Sequence, residues 1–409
     1  MPRTSTRRSV RRVRRLLFLL FASAGPLAAQ EGVPWRASYF PYLFGDPNTG
    51  LMLVGHYQLA RQADYDARVP FDGIFSAEGA AGLHGSWLLT ARFRAPLLVK
   101  GWRFAGDLAA VREVKFGYYG RGPEGANEGF DPGDEPADFF RAHRTRYLAR
   151  AEATRRLVGP LSMAGKVELE HFRFSRVSDQ SLFNDDYFDQ PLTGTDLTAR
   201  LAAVLDTRDN ELLPARGLLL EAGVYGGTGR FEERNILPPP PQAGIAYVAS
   251  YSGRGYPGGY LHARGYVSPR EGTVLAGRIA YRSVGGNAPL AARYGLPGWE
   301  RDLAVVGGAE SNRSFVRGRL LGRNVGLASV EVRHNLLDVG DYGGVTLIAF
   351  SDAGRAWDSD AAGTVVHRRW KVGGGAGVAV RILRSVLLTL NFAGGPDGFM
   401  FSMGNGWSF

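Results

Sequence analysis

The sequence predicts an all-β fold, a transmembrane antiparallel β-barrel of about 16 strands. Three observations predict it. Apolar and polar residues alternate with period two along nearly the whole chain beyond the first 30 or so residues. The connections between the alternating segments run short, long, short, long. The first 29 residues carry the marks of an exported chain.

The N-terminus comes first. Residues 1–29 hold seven arginines and no acidic residue or lysine. A short apolar run, Leu16 to Ala24, follows the basic stretch, and cleavage is expected near Ala29. The run is too short to span a bilayer as a helix, which takes about 20 apolar residues. The 409-residue chain has a formal charge of +10, which falls to +3 without the leader. Its basicity is therefore mostly that of the leader, and nucleic-acid binding is not expected. The mature chain, 30–409, is read as one barrel with no second domain. The absence of cysteine fits an exported protein that uses no disulfides.

Candidate strands fall near 35–45, 50–62, 73–83, 86–97, 102–116, 140–156, 160–174, 195–206, 217–227, 255–268, 272–284, 324–336, 342–354, 372–383, 385–395 and 398–409. The alternation is clearest in four of them. Trp87, Leu89, Ala91 and Phe93 oppose Thr90, Arg92 and Arg94. Thr145, Tyr147, Ala149, Ala151 and Ala153 oppose Arg144, Arg146, Arg150 and Glu152, with Leu148 among the latter. Val167 and Leu169 oppose Lys166, Glu168 and Glu170, and Leu275, Ile279 and Tyr281 oppose Arg278 and Arg282. A soluble antiparallel sandwich also alternates. Here the polar faces mix arginine with glutamate, as a wet or ion-paired lumen would. "LVKGW", "VGPL" and "ILRS" are tight turns, while 117–139, 175–193, 227–246 and 353–370 are long and polar. Short turns on one rim and long loops on the other is the pattern of outer-membrane barrels. Residues 285–323 then form the sixth external loop.

In the final segment, "GFMFSMGNGWSF", the residues Phe399, Phe401, Met403, Trp407 and Phe409 share one face. The expectation is a lipid-facing aromatic row at the membrane boundary, with Phe401, Trp407 and Phe409 acting as the terminal signal read by barrel-assembly machinery.

Four stretches in this order resemble the BamA/TamA-like outer-membrane barrels, also called bacterial surface antigen proteins: "FGDPNTGLMLVG" (44–55), "DTRDNELLPARG" (206–217), "GGAESNRSFVRGR" (307–319) and "FSDAGRAW" (350–357). The resemblance covers 35–409. It implies a turn motif on the periplasmic rim made by Asp206, Arg208, Asp209, Pro214 and Gly217. It implies a sixth loop folded back into the barrel, with Arg317 of Arg317-Gly318 paired to Asp352 of the Asp352-x-Gly354 strand. Alternation agrees in part, since Asp352 shares the lumen face with Thr346. A guanidinium and a carboxylate can pair in two places there. Two departures stand out. Arg319 occupies a position where the family has an aromatic residue. Only about five residues separate the expected cleavage site from Trp35, so no periplasmic POTRA domain is expected.

The seven histidines (56, 84, 143, 171, 262, 334 and 367) show no metal-ligand spacing, and there is no Gly-x-Ser-x-Gly. Sets assembled across strands stay open at this point, but no enzyme activity, metal or cofactor is predicted. "NDDYFD" (184–189) and "RFEERNILPPPPQ" (230–242) read as solvated loops. The resemblance implies a monomer in the outer membrane that helps insert or translocate another molecule. Passive pore, structural barrel and loop-borne receptor or adhesin remain alternatives. The expected partners are outer-membrane lipid and lipopolysaccharide, the assembly machinery, and a separately encoded periplasmic or secreted protein.

Overall fold

The computed structural model describes residues 34–46, 50–63, 68–120, 122, 135, 138–187, 191–233, 249–252, 255–285, 287–340, 343–358, 370–382 and 386–409. The expected signal peptide lies outside them. So do the tip of the first hairpin (47–49) and parts of the acidic and proline-rich loops (188–189, 234–242).

Seventeen strand segments form one sheet. They are β1 (Arg36–Asp46), β2 (Gly50–Gln62), β3 (Phe71–Gly82), β4 (Trp87–Val99), β5 (Trp102–Gly117), β6 (Arg141–Val158), β7 (Leu161–Arg176), β8 (Leu192–Asp206) and β9 (Gly217–Glu233). The second half holds β10 (Ala249–Ser252), β11 (Tyr256–Arg270), β12 (Thr273–Val284), β13 (Asn324–Asp338), β14 (Gly343–Trp357), β15 (Lys371–Ile382), β16 (Val386–Gly395) and β17 (Gly398–Asn405). β10 pairs with Arg230–Glu233 and β11 with Gly217–Gly227, successive stretches of β9. They are two stretches of one stave, so the wall has 16 staves, the even number expected. Consecutive staves pair antiparallel throughout. β1 and β17 lie side by side, bringing the two ends of the sheet together. Two short helices, α1 (Leu182–Tyr187) and α2 (Leu290–Tyr294), sit in long connections and were not expected.

Period two decides which face each residue takes. On β6 and β7 the register sets Arg150 opposite Glu168 and Glu152 opposite Lys166 on the inner face. Ala149 and Leu169, with Ala151 and Val167, form the outer row. Opposite charges directly across a ladder stabilise the pair. The outer row is apolar and bare: Ile279 and Val330 are each 62% exposed, and Leu53, Val167, Leu201 and Val224 are similarly uncovered. Apolar surface left in water costs about 25 cal/mol per Å², so a continuous belt of this kind suits hydrocarbon. The buried apolar clusters lie inside, where the β12–β13 connection meets the wall.

The last segment departs from expectation. β17 stops at Asn405, and Gly406 adopts φ +89°, a left-handed conformation open to glycine. Phe399, Phe401 and Met403 face outward as expected. Trp407 and Phe409 do not continue that row, because the turn at Gly406 carries the chain into the lumen. Phe409 is buried there beside Tyr266 and Ala276.

Candidate functional site

The lumen is where the charged faces of the staves converge, and the β12–β13 connection (285–323) fills it. Its backbone needs partners wherever it leaves water. The wall supplies them chiefly through arginine, whose guanidinium offers five donors in a rigid fork. Arg282 of β12 donates to Arg293 O (2.7 Å). Arg278, four residues back on the same face of β12, donates to the carbonyls of Glu310 (3.2 Å) and Ser311.

The first anchor is a hairpin closed by the bridge Leu296–Leu303. Its tip, Gly298-Trp299-Glu300-Arg301, points into the lumen. Trp299 N donates to Glu221 Oε2 (2.6 Å), and its Nε1 to Thr154 Oγ1 (2.9 Å). Asp302 accepts from Arg200 Nη1 (2.5 Å), Arg150, Lys166 Nζ (3.4 Å) and Gly298 N (2.8 Å). Burial alone would raise the Asp302 carboxyl, but the charges of Arg200, Lys166 and Arg150 outweigh it and hold the group well below the ordinary carboxylate range. Glu300 pairs with Arg264 (3.1 Å) and Arg208.

Arg208 ties this hairpin to the expected turn motif. Asp206 binds Arg208 by two arms, Nε to Oδ1 (3.0 Å) and Nη2 to Oδ2 (2.9 Å). Asp209 Oδ1 accepts the backbone N–H groups of Ala215 (3.0 Å) and Arg216 (3.2 Å), which folds the ten-residue connection over itself. Pro214 is buried in it. Gly217 takes φ +104°, and a Cβ there would strike Thr207 O and Arg208 Cα. The motif residues therefore stand together, with Arg208 turned inward to the loop.

The second anchor corrects the expected latch. Asp352 is held by Arg313, not Arg317. Arg313 gives Asp352 its backbone N–H (2.9 Å), Nε (2.9 Å) and Nη2 (3.0 Å), and gives Glu331 its Nη1 (2.5 Å). The guanidinium also lies 3.5 Å over the Phe350 ring, a favourable cation–π position. Arg313 thus engages both Asp352 oxygens and stands where the resemblance placed Arg317. Arg317, four residues on, pairs with Glu113 of β5, which also binds Arg144 (2.6 Å). Gly318 adopts φ +81° where a Cβ would come within 3.3 Å of Gly117 O. Gly354 remains at the latch: a Cβ there would press on Leu320 and on Asn312 Nδ2 (3.1 Å). Arg319, the departure from the family pattern, is fully buried, 3.3 Å from Asp397 in the β16–β17 turn and 5.0 Å from the Tyr119 ring. Val316 N also donates to Asp397 (3.2 Å).

A third contact set joins latch to tail. Glu331 accepts Arg333 Nε (2.6 Å), and Arg333 Nη2 donates to Phe409 O (3.1 Å) while its guanidinium lies 4.0 Å over Trp407. Arg278 reaches Ser408 O (3.1 Å). Sequence reasoning missed the Trp299 hairpin, Arg313, Arg319–Asp397 and this tail. A visible signal was present only for the hairpin: "LPGWERDL" sets Pro-Gly and three charges between two leucines.

No family model matches the chain, and no curated protein matches it. Solved structures do. BamA from Haemophilus ducreyi lacking POTRA domains 1–3 matches 91% of this chain and 70% of its own, at 12% identity and a TM-score of 0.53. CdiB from Escherichia coli matches 90% of this chain at 14% identity and a TM-score of 0.54, and the chain spans 62% of that structure. At this identity the likeness is one of fold: a 16-strand outer-membrane barrel.

Proposed function

We propose that this barrel acts within the outer membrane on another polypeptide, assisting its insertion or its translocation. The observation that supports it is the meeting of β1 and β17. The two strands lie together, yet each has a paired register on one side only, β1 with β2 and β17 with β16, among the described residues. A strand with a free edge can template another strand. β1 is also bare on most of its length, with Tyr39 85% exposed. A leader cleaved near Ala29 would deliver the chain for export, and the partner would be a separately encoded periplasmic or secreted protein.

Cysteine pairs across the seam test the reading, and the absence of native cysteine makes them unambiguous. One partner is taken from Tyr39, Pro41 or Leu43 and the other from Phe399, Phe401 or Met403. Oxidised barrels should fold yet lose assembly of a model β-barrel client in proteoliposomes, and reduction should restore it. Full activity with the seam locked would rule out lateral opening.

The filled lumen weighs against an open pore. In planar bilayers the purified protein should give small, flickering conductance. A steady, large conductance would favour the passive-pore reading.

A further inference from the structure

Between the Trp299 hairpin, the inward tail and the β11–β12 wall lies a cavity of about 230 Å³. Its polar lining is unusual in one respect: buried groups without a protein partner gather on it. His262 has neither ring nitrogen bonded, and its closest carboxylate, Glu221, stands at 3.6 Å, beyond hydrogen-bond reach. Arg264 Nε, Arg278 Nε, Trp407 Nε1, Tyr266 Oη and Ser408 Oγ are also without partners. His262, Tyr266 and Arg278 are more than nine-tenths buried. Buried polar groups are normally satisfied, so such a cluster calls for an occupant.

The donor set says what kind. Arginine Nε–H and indole N–H can only donate, so the cavity presents at least three obligatory donors. The two side-chain carboxylates that line it already have arginine partners. Glu211 takes both terminal nitrogens of Arg103 at 2.7 Å, and Glu300 takes Arg208 and Arg264. Arg278 is bound by carbonyls and by Ser329 Oγ (3.1 Å), with no carboxylate partner among the described residues. Water donates as readily as it accepts and carries no charge to offset a buried guanidinium. An anion that only accepts meets both needs.

We propose that this cavity is a binding site for an oxyanion, a phosphate or carboxylate group, held by Arg264, Arg278, His262, Tyr266 and Trp407. Arg278 also holds the latch carbonyls and the tail, so the anion would neutralise the charge that ties loop 285–323 to Gly406–Phe409. The site stands independently of any insertion activity.

The test uses the purified full barrel in detergent, with inorganic phosphate as probe and chloride at matched ionic strength as control. Phosphate should bind by calorimetry and raise the melting temperature beyond the chloride control. Tyr266→Phe removes one partnerless donor without changing shape, and Trp407→Phe removes another together with part of the indole ring. Each should weaken phosphate binding about tenfold, the scale of a hydrogen bond to a charged group. Tyr266→Phe should not lower the melting temperature without phosphate, since it deletes only a buried polar atom that has no partner. Equal effects of phosphate and chloride, or wild-type affinity in both variants, would overturn the site. A short-chain phosphatidylglycerol then separates two sources. Competition with phosphate identifies a lipid headgroup as the natural occupant, and its absence identifies a free anion; either result presupposes the site.

Discussion

Arg313→Ala should destabilise the barrel by about 3–5 kcal/mol, the scale for breaking a buried ion pair from one side. The substitution strands Asp352, which is fully buried, and takes from Glu331 one of its two arginines. It also removes a side chain that joins the loop to two wall strands at once, Glu331 on β13 and Asp352 on β14. Asp352→Ala should approach the same loss, because it leaves the Arg313 fork with Glu331 alone. Arg317→Ala should cost far less, up to about 1 kcal/mol. Its side chain is about a quarter exposed, and Glu113 keeps Arg144 when Arg317 is gone. Exchanging Arg317 and Asp352 should rescue nothing, since the two do not meet, and would set Arg beside Arg313. The measurement is the temperature at which the folded band is lost on unheated gels, supported by thermal melts. A loss in Arg317→Ala as large as in Arg313→Ala would return the latch to the position the family resemblance implies.

The contrast between these arginines shows what was legible in the sequence. The staves were, except that β9 runs on to Glu233 and pairs with β10 where a solvated loop was expected, because each strand's alternation is a local property that its register only repeats. Arg150, Glu152, Lys166 and Glu168 declare the inner face of β6 and β7 before any pairing is known. That the 285–323 connection folds inward came through the resemblance rather than through periodicity. Which arginine of "NRSFVRGR" meets Asp352 was not legible. All three sit within seven residues of chain, and the choice depends on where the loop backbone first touches the wall. That contact is made by the Arg313 N–H on Asp352, a group every residue carries. The tail misled for a related reason. Phe399, Phe401, Met403, Trp407 and Phe409 keep an alternation broken only by Asn405, but alternation holds only while the strand continues, and Gly406 ends it. The partners that then draw Trp407 and Phe409 inward, Arg278 and Arg333, lie on strands more than 70 residues away in sequence. No local pattern could report them.

Asp302→Asn should release the Trp299 hairpin from the wall, and its effect should depend on pH. Around Asp302 the inner wall is charge-balanced. Arg94, Arg150, Lys166 and Arg200 face Asp107, Glu152, Glu168 and Asp302 through a linked set of ion pairs. Neutralising Asp302 leaves one cation in excess in a nearly dry place, again a loss of about 3–5 kcal/mol. Its carboxyl is held below the ordinary range in the folded state, so its contribution is complete above the unfolded value of about 3.9. Below that pH the unfolded chain takes up the proton first, and the wild-type advantage over Asp302→Asn should shrink by about 1.4 kcal/mol per pH unit. It is lost only as pH falls through the folded value. The wild type should therefore keep its small conductance at pH 7 and at pH 5. The variant should show larger and longer openings at both, because the hairpin that blocks the lumen has lost its anchor on β6, β7 and β8. Melting curves from pH 7 down to about 2.5 give the stability arm, and single-channel recordings give the plug arm. A variant that matches the wild type at pH 7 would show that the hairpin is held by Trp299 and Glu300 without Asp302. A gap between the two that stayed constant into strong acid would show that the carboxylate's charge is not what holds it.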